Sequence, residues 1–395
     1  MAGITGMSDT FDTPNYTGEL FASSPEDTPL LSAIGGLTGG KEASSTLFEW
    51  QGYDLRDPEA NRARLEGADA QTAAQRVRFN VTNVLEIHQE TVDVSYTKQS
   101  AIGQTVTAGV AGTNPVTAEM PWQVAQSIKQ VARDVEASFI LGVYQKPSDN
   151  TTARKTRGLI PAITTNVLDK GTALAAASAS TDTITVTHAL TAGDAVMFTD
   201  VGASTTVFTN KVYYVKSVST TVSFKIAATP GGTAITVGTA TVALRVLSKT
   251  ATTKATYDDI FQLAYDNGGI AEGETATIIV ASDQKRNLSN AYANFSNGYS
   301  EQTRNVGGVN FQTIESDFGR LNVMLDRYVP RDAFVICSME QLAPVFLNVP
   351  GRGHFFEEDL AKIGASDRKQ LYGEIGLEYG NEKAHGIIRG LPITY

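Results

Sequence analysis

Residues 16–35 read YTGELFASSPEDTPLLSAIG. Ser24 suits the cap of a helix opening with Pro25 and carrying Glu26 and Asp27 in its first turn. Proline's missing N–H costs nothing at a helix start, and acids there face the positive end of the helix dipole. Thr28-Pro29 is an equally good start. Leu30, Leu31 and Ile34 then share one apolar face, and Gly35-Gly36 ends the turn. Isolated helices under about 12 residues are marginal in water, so this stub must pack on something else. The surrounding residues 1–45 are rich in Gly, Pro, Ser and Thr, and the segment reads as an extended arm.

Two strand-like stretches follow, at 46–53 and 76–84. Leu47 and Glu49 oppose Phe48 and Trp50, and Val77, Phe79 and Val81 alternate with Arg78, Asn80 and Thr82. Between and beside them Arg56, Arg62, Arg64, Arg76 and Arg78 are interleaved with Asp54, Asp57, Glu59, Glu66 and Asp69, and no lysine occurs from 51 to 97. This predicts a long two-stranded ribbon, 46–84, with a charged tip. A protruding hairpin cannot bury both faces within its own subunit. Alternating signs favour reciprocal pairing with a neighbour, where arginine forks make bidentate contacts. The alternative is a solvated loop.

The clearest helix is predicted at 117–144. Val124, Ile128, Val131, Val135 and Phe139 recur every three or four residues, while Gln126, Gln130, Arg133, Asp134 and Glu136 occupy the other faces. At 1.5 Å per residue such a rod is about 40 Å long, and its amphipathicity suits a helix lying across a sheet. Composition then changes. Residues 171–247 are rich in Thr, Val, Ala and Gly and hold seven charged residues. Strand-like runs at 183–188, 194–198, 211–218, 222–227, 234–237 and 239–246 predict a small β-sandwich or barrel inserted at 169–250. Helix and strand alternate again over 251–365, and 366–395 reads as strands returning to an earlier sheet.

Composition bounds function loosely. Hydrophobic residues make up 42% and charged residues 19% of 395, as in ordinary globular chains. No run approaches the ~18 apolar residues that span a bilayer, and the start lacks a secretory signal, so no membrane partner and a cytoplasmic origin are expected. A net charge of −10 disfavours general nucleic-acid binding. The single cysteine, Cys337, lies in an apolar run and reads as a buried, inert thiol. Gly35 to Lys41 matches G-x-x-x-x-G-K, but Glu42 stands where a phosphate loop needs Ser or Thr, and strand follows, so a glycine hinge is the better reading. His88, His188, His354 and His385 show no metal spacing, and His354 beside Glu357, Glu358 and Asp359 reads as a solvent-facing or neighbour-facing acidic run. No cofactor, metal or catalytic site is expected.

In this order the parts resemble the major capsid proteins of tailed bacteriophages, the Hong Kong ninety-seven type of shell fold. The resemblance rests on residues 16–35 and on Thr156-Arg157-Gly158-Leu159-Ile160 after the long helix, and covers about four-fifths of the chain, excluding 171–247. It implies an α+β fold: N-terminal arm 1–45, extended hairpin loop 46–84, and a peripheral domain 85–168 with spine helix 117–144. An axial domain 251–365 and C-terminal strands 366–395 returning to the peripheral domain complete it. It also implies self-assembly through hexamers and pentamers into an icosahedral virion shell, built in a bacterial host cytoplasm and enclosing double-stranded DNA without reading its sequence. A separate scaffolding protein, a portal and a possible decoration protein are the implied partners. Arg56, Arg62, Arg64, Arg76, Arg78, Asp57, Glu59 and Glu66 would touch neighbours from the hairpin, and Phe21, Pro25, Glu26, Leu30 and Leu31 from the arm. An encapsulin-like compartment shell is the related alternative. A hydrolase using His354 or Glu357 is the enzymatic one.

Overall fold

The computed structural model describes residues 26–53, 55, 58, 62–70, 75–100, 118–219, 221–270, 276–295, 302–306 and 309–393. Ser24, Pro25 and Thr117, weighed above as helix starts, lie outside them. The chain begins with α1 (Pro29–Ile34), β1 (Lys41–Ala43), β2 (Leu47–Tyr53), β3 (Arg78–Val84), β4 (Glu86–Ser95), α2 (Tyr96–Ser100) and α3 (Glu119–Leu141). Next come α4 (Leu159–Ala162), β5 (Val167–Asp169), β6 (Thr172–Ser180), β7 (Thr183–Thr185), β8 (Ala195–Asp200), β9 (Val212–Ser219), β10 (Ser223–Ala227) and β11 (Ala240–Val246). The rest comprises α5 (Lys254–Asp266), β12 (Thr277–Val280), α6 (Ser282–Phe295), β13 (Gln302–Val306), β14 (Val309–Ser316), β15 (Gly319–Leu325), β16 (Phe334–Cys337), β17 (Ala343–Leu347), β18 (Phe355–Asp359), β19 (Ser366–Glu378) and β20 (Gly386–Arg389).

These strands form two open sheets, a barrel and a ribbon. In the first sheet β19, 13 residues long, is the hub. It pairs antiparallel with β4 along one side and with β17 and β18 along the other, and β1 adds parallel to β17. Helix α3 lies over β4 and β19. The second sheet runs β13-β14-β15-β12-β16-β20-β5. Its central strands β12 and β16 are buried at every position, and Tyr257, Ile260 and Phe261 of α5 with Leu288 of α6 close over them. Continuous apolar runs are what strands covered on both faces require.

The division expected between 251–365 and 366–395 does not follow the sheets. β16 and β17, separated by a single 3₁₀ turn at Met339–Gln341, enter different sheets, so β17 and β18 join β4 and β19. The last strand, β20, goes the other way and sits between β16 and β5.

Between β5 and α5 six strands close a barrel in the order β10-β7-β6-β11-β8-β9 around Ile184, Val196, Phe198, Tyr213, Phe224 and Leu244. Two expectations fail here. Residues 234–237 make only an isolated bridge, Ala227 to Ala234, because Gly231, Gly232 and Gly238 turn the chain on either side. Thr172–Ser180 was not anticipated as a strand, yet it pairs along most of β11, with Ala177 and Ala179 buried in the barrel core.

Helix α3 departs from its reading at two residues. Ile128 is 39% exposed, whereas Glu136, assigned above to the solvent side, is completely buried.

Candidate assembly surfaces

Strands β2 and β3 pair from Leu47–Val84 at the root to Tyr53–Arg78 at the far end. Burial falls along the ribbon. Asn83 and Val84 are closed off from solvent, and Arg78, Phe79 and Asn80 are open. The root is bolted by Asn83, which uses its whole hydrogen-bonding capacity. Its Oδ1 accepts from the Arg157 and Val84 amides at 2.8 and 2.9 Å, and its Nδ2 donates to the Leu377 and Arg157 carbonyls at 2.7 and 3.1 Å. Trp50 adds an indole N–H to the Gly380 carbonyl at 2.7 Å and an edge-on contact with Tyr379.

The segment Thr156 to Ile160 explains itself at the same junction. Thr156 Oγ1 accepts from the Leu377 amide at 3.3 Å, and Arg157 reaches the Tyr379 hydroxyl while lying over the Tyr144 ring. Gly158 passes so close to the end of α3 that a Cβ would stand 2.7 Å from the Gly142 nitrogen and 2.8 Å from the Ser138 oxygen. Ribbon root, spine-helix terminus and β19 therefore meet at one rigid point.

Beyond the root the ribbon presents apolar side chains to solvent. Tyr53, Leu55, Leu65, Val77 and Phe79 are 51–85% exposed. Arg62, Arg64, Glu66, Arg76 and Arg78 are also exposed, and Arg64, Arg76 and Arg78 make no ion pair with any described residue. Arg56, Asp57 and Glu59 lie outside the described residues. The described part of the ribbon thus carries an exposed apolar strip beside exposed arginines.

The arm root behaves differently from expectation. Leu30 and Leu31, read as contacts to a neighbour, are 0% and 2% exposed inside this chain, where they pack against Val131, Val135 and Phe139 of α3. Thr28 makes no side-chain cap. The first amides of α1 are taken by Glu136, which accepts from Leu30 and Leu31 at 2.7 and 2.6 Å. Glu26 pairs with Lys129 of the same chain at 2.7 Å, and Asp27 with Arg327 at 2.9 Å. Phe21 and Pro25 lie outside the described residues. The arm is thus anchored at home as far as residue 26.

The remaining candidates are structural in their surroundings. Lys41 pairs with Glu378 and opens β1, and a Cβ at Gly40 would lie 2.3 Å from the Pro344 carbonyl oxygen, so this glycine serves close packing and not a free hinge. His354 tilts against the Phe346 ring, and Glu357 is engaged by Lys369. The cavity beside His354 and His88 has about 10 Å³ of water-accessible volume, room for one water. Cys337 is fully buried, which pushes its thiol up to about 12. Among the described residues no three His, Cys, Asp or Glu side chains converge to hold a metal, and no helix is long and apolar enough to cross a membrane.

Comparison with known proteins decides what these parts belong to. The family model described as "SU10 major capsid protein" matches residues 3–392. The chain belongs to the SU10 major capsid protein family. It is a major capsid protein of the tailed-phage type, and its fold is the α+β shell fold of the Hong Kong ninety-seven type. A curated major capsid protein of Escherichia phage Phieco32 is 29% identical over 119 residues, a match spanning 30% of this chain and 30% of that protein. Among solved structures, the capsid asymmetric unit of Cyanophage A-1(L) superposes with a TM-score of 0.52 at 10% identity, covering 96% of this chain and 97% of that one. The capsid of Cyanophage P-SCSP1u gives 0.49 at 9% identity, over 100% and 97%.

Family membership leaves the residue roles to geometry. Reading from sequence had marked the ribbon tip as an interaction surface. It missed Asn83, Glu136 and Asp326, each of which acts across more than 70 residues of chain. Only Asn83 carried a signal, an amide side chain at the point where exposed alternation gives way to the buried root.

Proposed function

We propose that copies of this chain join as hexamers and pentamers into the icosahedral head shell of a tailed phage, enclosing double-stranded DNA without base-specific contacts. The exposed apolar strip of the ribbon carries this reading, together with Arg64, Arg76 and Arg78, which make no ion pair among the described residues. In this scheme residues 46–84 reach onto a neighbour, and the arm does so through the residues before Glu26. The first sheet with α3 forms the peripheral domain, the second with α5 and α6 forms the axial domain, and the barrel is an insertion on their margin. Each repeated contact needs only a few kcal/mol when every subunit is held by several neighbours. A separate scaffolding protein, a portal and decoration proteins complete the proposed set of partners, with assembly in the host cytoplasm and no catalytic step.

The test is electron microscopy with sedimentation of the purified chain and of an Arg64→Glu/Arg76→Glu variant. The expected result is large shells or tubes for the parent, and soluble subunits with unchanged unfolding for the variant, since exposed substitutions cost roughly 0.5 kcal/mol or less. Unimpaired assembly of the variant would remove the ribbon from the interface. Thin small cages alone would favour a compartment shell of the encapsulin kind. A small oligomer with turnover that disappears on changing His354 or Glu357 would favour the hydrolase.

A further inference from the structure

At the arm root two carboxyl groups meet out of water. Glu136 holds the Leu30 and Leu31 amides, as described. Asp326, 2% exposed at the end of β15, accepts the Tyr328 amide through Oδ1 at 2.8 Å. Its Oδ2 is buried and finds no donor among the described residues, and the group facing it is the Glu136 carboxyl. Two carboxylates cannot both ionise in such a place. One proton between them converts repulsion into a short charge-assisted hydrogen bond and satisfies the orphaned oxygen.

Among the described residues no neighbouring cation substitutes for that proton. Before α1, Asp27 adds negative charge toward Asp326 and is itself held by Arg327. On α3, Lys129 is taken by Glu26, and Arg133 donates to the Tyr328 hydroxyl. In the loop after β15, Arg331 is held by Asp283. On β14, Glu315 is paired with Arg320, and β17 brings only apolar residues to α1.

We propose that Glu136 and Asp326 share a single proton, and that this proton latches the arm root to the body of the subunit. Its loss on the alkaline side weakens the hold on α1 and frees the arm. The inference does not depend on the shell role. Burial, reinforced by the Asp326 charge, pushes Glu136 up to about 9, and burial also raises Asp326. A carboxyl raised in the docked state binds its proton there and gives it up when released into water. Docking is therefore fully supported below the ordinary carboxylate range near pH ~4 and is lost as pH rises through about 9. With one proton involved, the docked-to-released ratio falls about tenfold per pH unit across that interval.

Hydrogen–deuterium exchange of the peptide containing Leu30 and Leu31, in the full-length unassembled subunit and normalised to unstructured-chain rates, reads this ratio. Protection should decline tenfold per unit in the native chain. Asp326→Asn, whose amide donates to Glu136 without taking up a proton, should keep the protection and lose most of the slope. Glu136→Gln should lose the slope and be less protected at every pH, because its NH₂ faces one of the two amides. A flat native profile, or an Asp326→Asn profile parallel to the native one, would overturn the proposal. So would infrared spectra of the native chain at neutral pH without the carbonyl band of a buried protonated carboxyl, a measurement that needs no variant to fold.

Discussion

Replacing Asn83 by alanine tests the ribbon root most directly. The substitution strips partners from two amides, the buried one of Val84 and the partly buried one of Arg157, and from two carbonyls, of Leu377 and Arg157, around a side chain with no solvent access. An orphaned buried amide costs about 1–3 kcal/mol, so the two together set a range of roughly 2–6 kcal/mol. The carbonyls keep a second lone pair, and the vacated space admits a water that restores part of the loss, which brings the expectation to about 3 kcal/mol. A chain with separate cores need not unfold in one step, so the reading must be local. Trp50 provides it, because its indole lies against Tyr379 and Gly380 at this root. In a Trp122→Phe background Trp50 is the only tryptophan left. With a urea dependence of about 2 kcal/mol per M, its fluorescence transition should move down by about 1–2 M. Asn83→Asp keeps the acceptor, loses the donor and buries a charge, and should fall at least as far. A shift below about 0.3 M, under 1 kcal/mol, would refute the claim that Asn83 bolts the ribbon to the body.

Other outcomes follow from neighbouring features. Gly158→Ala drives a methyl to 2.7 Å from the Gly142 nitrogen, where backbone must give way, and thermal unfolding should show a loss of about 1–3 kcal/mol. Excising the barrel between Asp169 and Lys249 removes Arg245, which lies 3.5 Å from the buried Asp332, and leaves that carboxylate with backbone amides, Gly390's among them, and no cation among the described residues. The excised chain should be recovered in better yield, and resist protease longer, when Asp332→Asn is added, and equal behaviour of the two would argue against an uncompensated charge. Glu382 is held below the usual carboxylate range. Its partial burial works against this, but hydrogen bonds from the Thr164 and Thr165 amides and hydroxyls outweigh it. Its stabilisation is present above the unfolded value near pH ~4.3 and is lost as pH falls through the lower folded value. Glu382→Gln should flatten the acid limb of a pH–stability curve and cost about 1 kcal/mol at neutral pH, given its exposure.

How far the fold was legible depended on whether its cause was local. Alternation in β2 and β3 and the three-to-four spacing of α3 are written in adjacent residues, and both elements stand within a few positions of where those patterns put them. Thr172–Ser180 is mostly alanine, serine and threonine and carries no strand pattern of its own; it is held extended by the register of β11. Sheet membership was illegible for the same reason, since the switch between β16 and β17 is a short turn that no periodicity announces. At the arm, the cluster Leu30, Leu31 and Ile34 correctly demanded a packing surface, but nothing near it says whether that surface is the chain's own or a neighbour's. The answer sits at Glu136, more than 100 residues on, where a carboxylate in a helix looks like any solvated one.

The placement of β19 and β20 bears on the timing of folding. The barrel closes using only residues from 172 to 246, so it is free to form early. Both open sheets, by contrast, wait for two of the last strands in chain order: β19 joins β4 to β17 and β18, and β20 joins β16 to β5. Until residues 366–389 arrive, the ribbon has no Leu377 or Gly380 to fasten to. A growing polypeptide therefore lacks a firmly mounted ribbon until residues 366–389 have been made, about 300 residues after the ribbon itself.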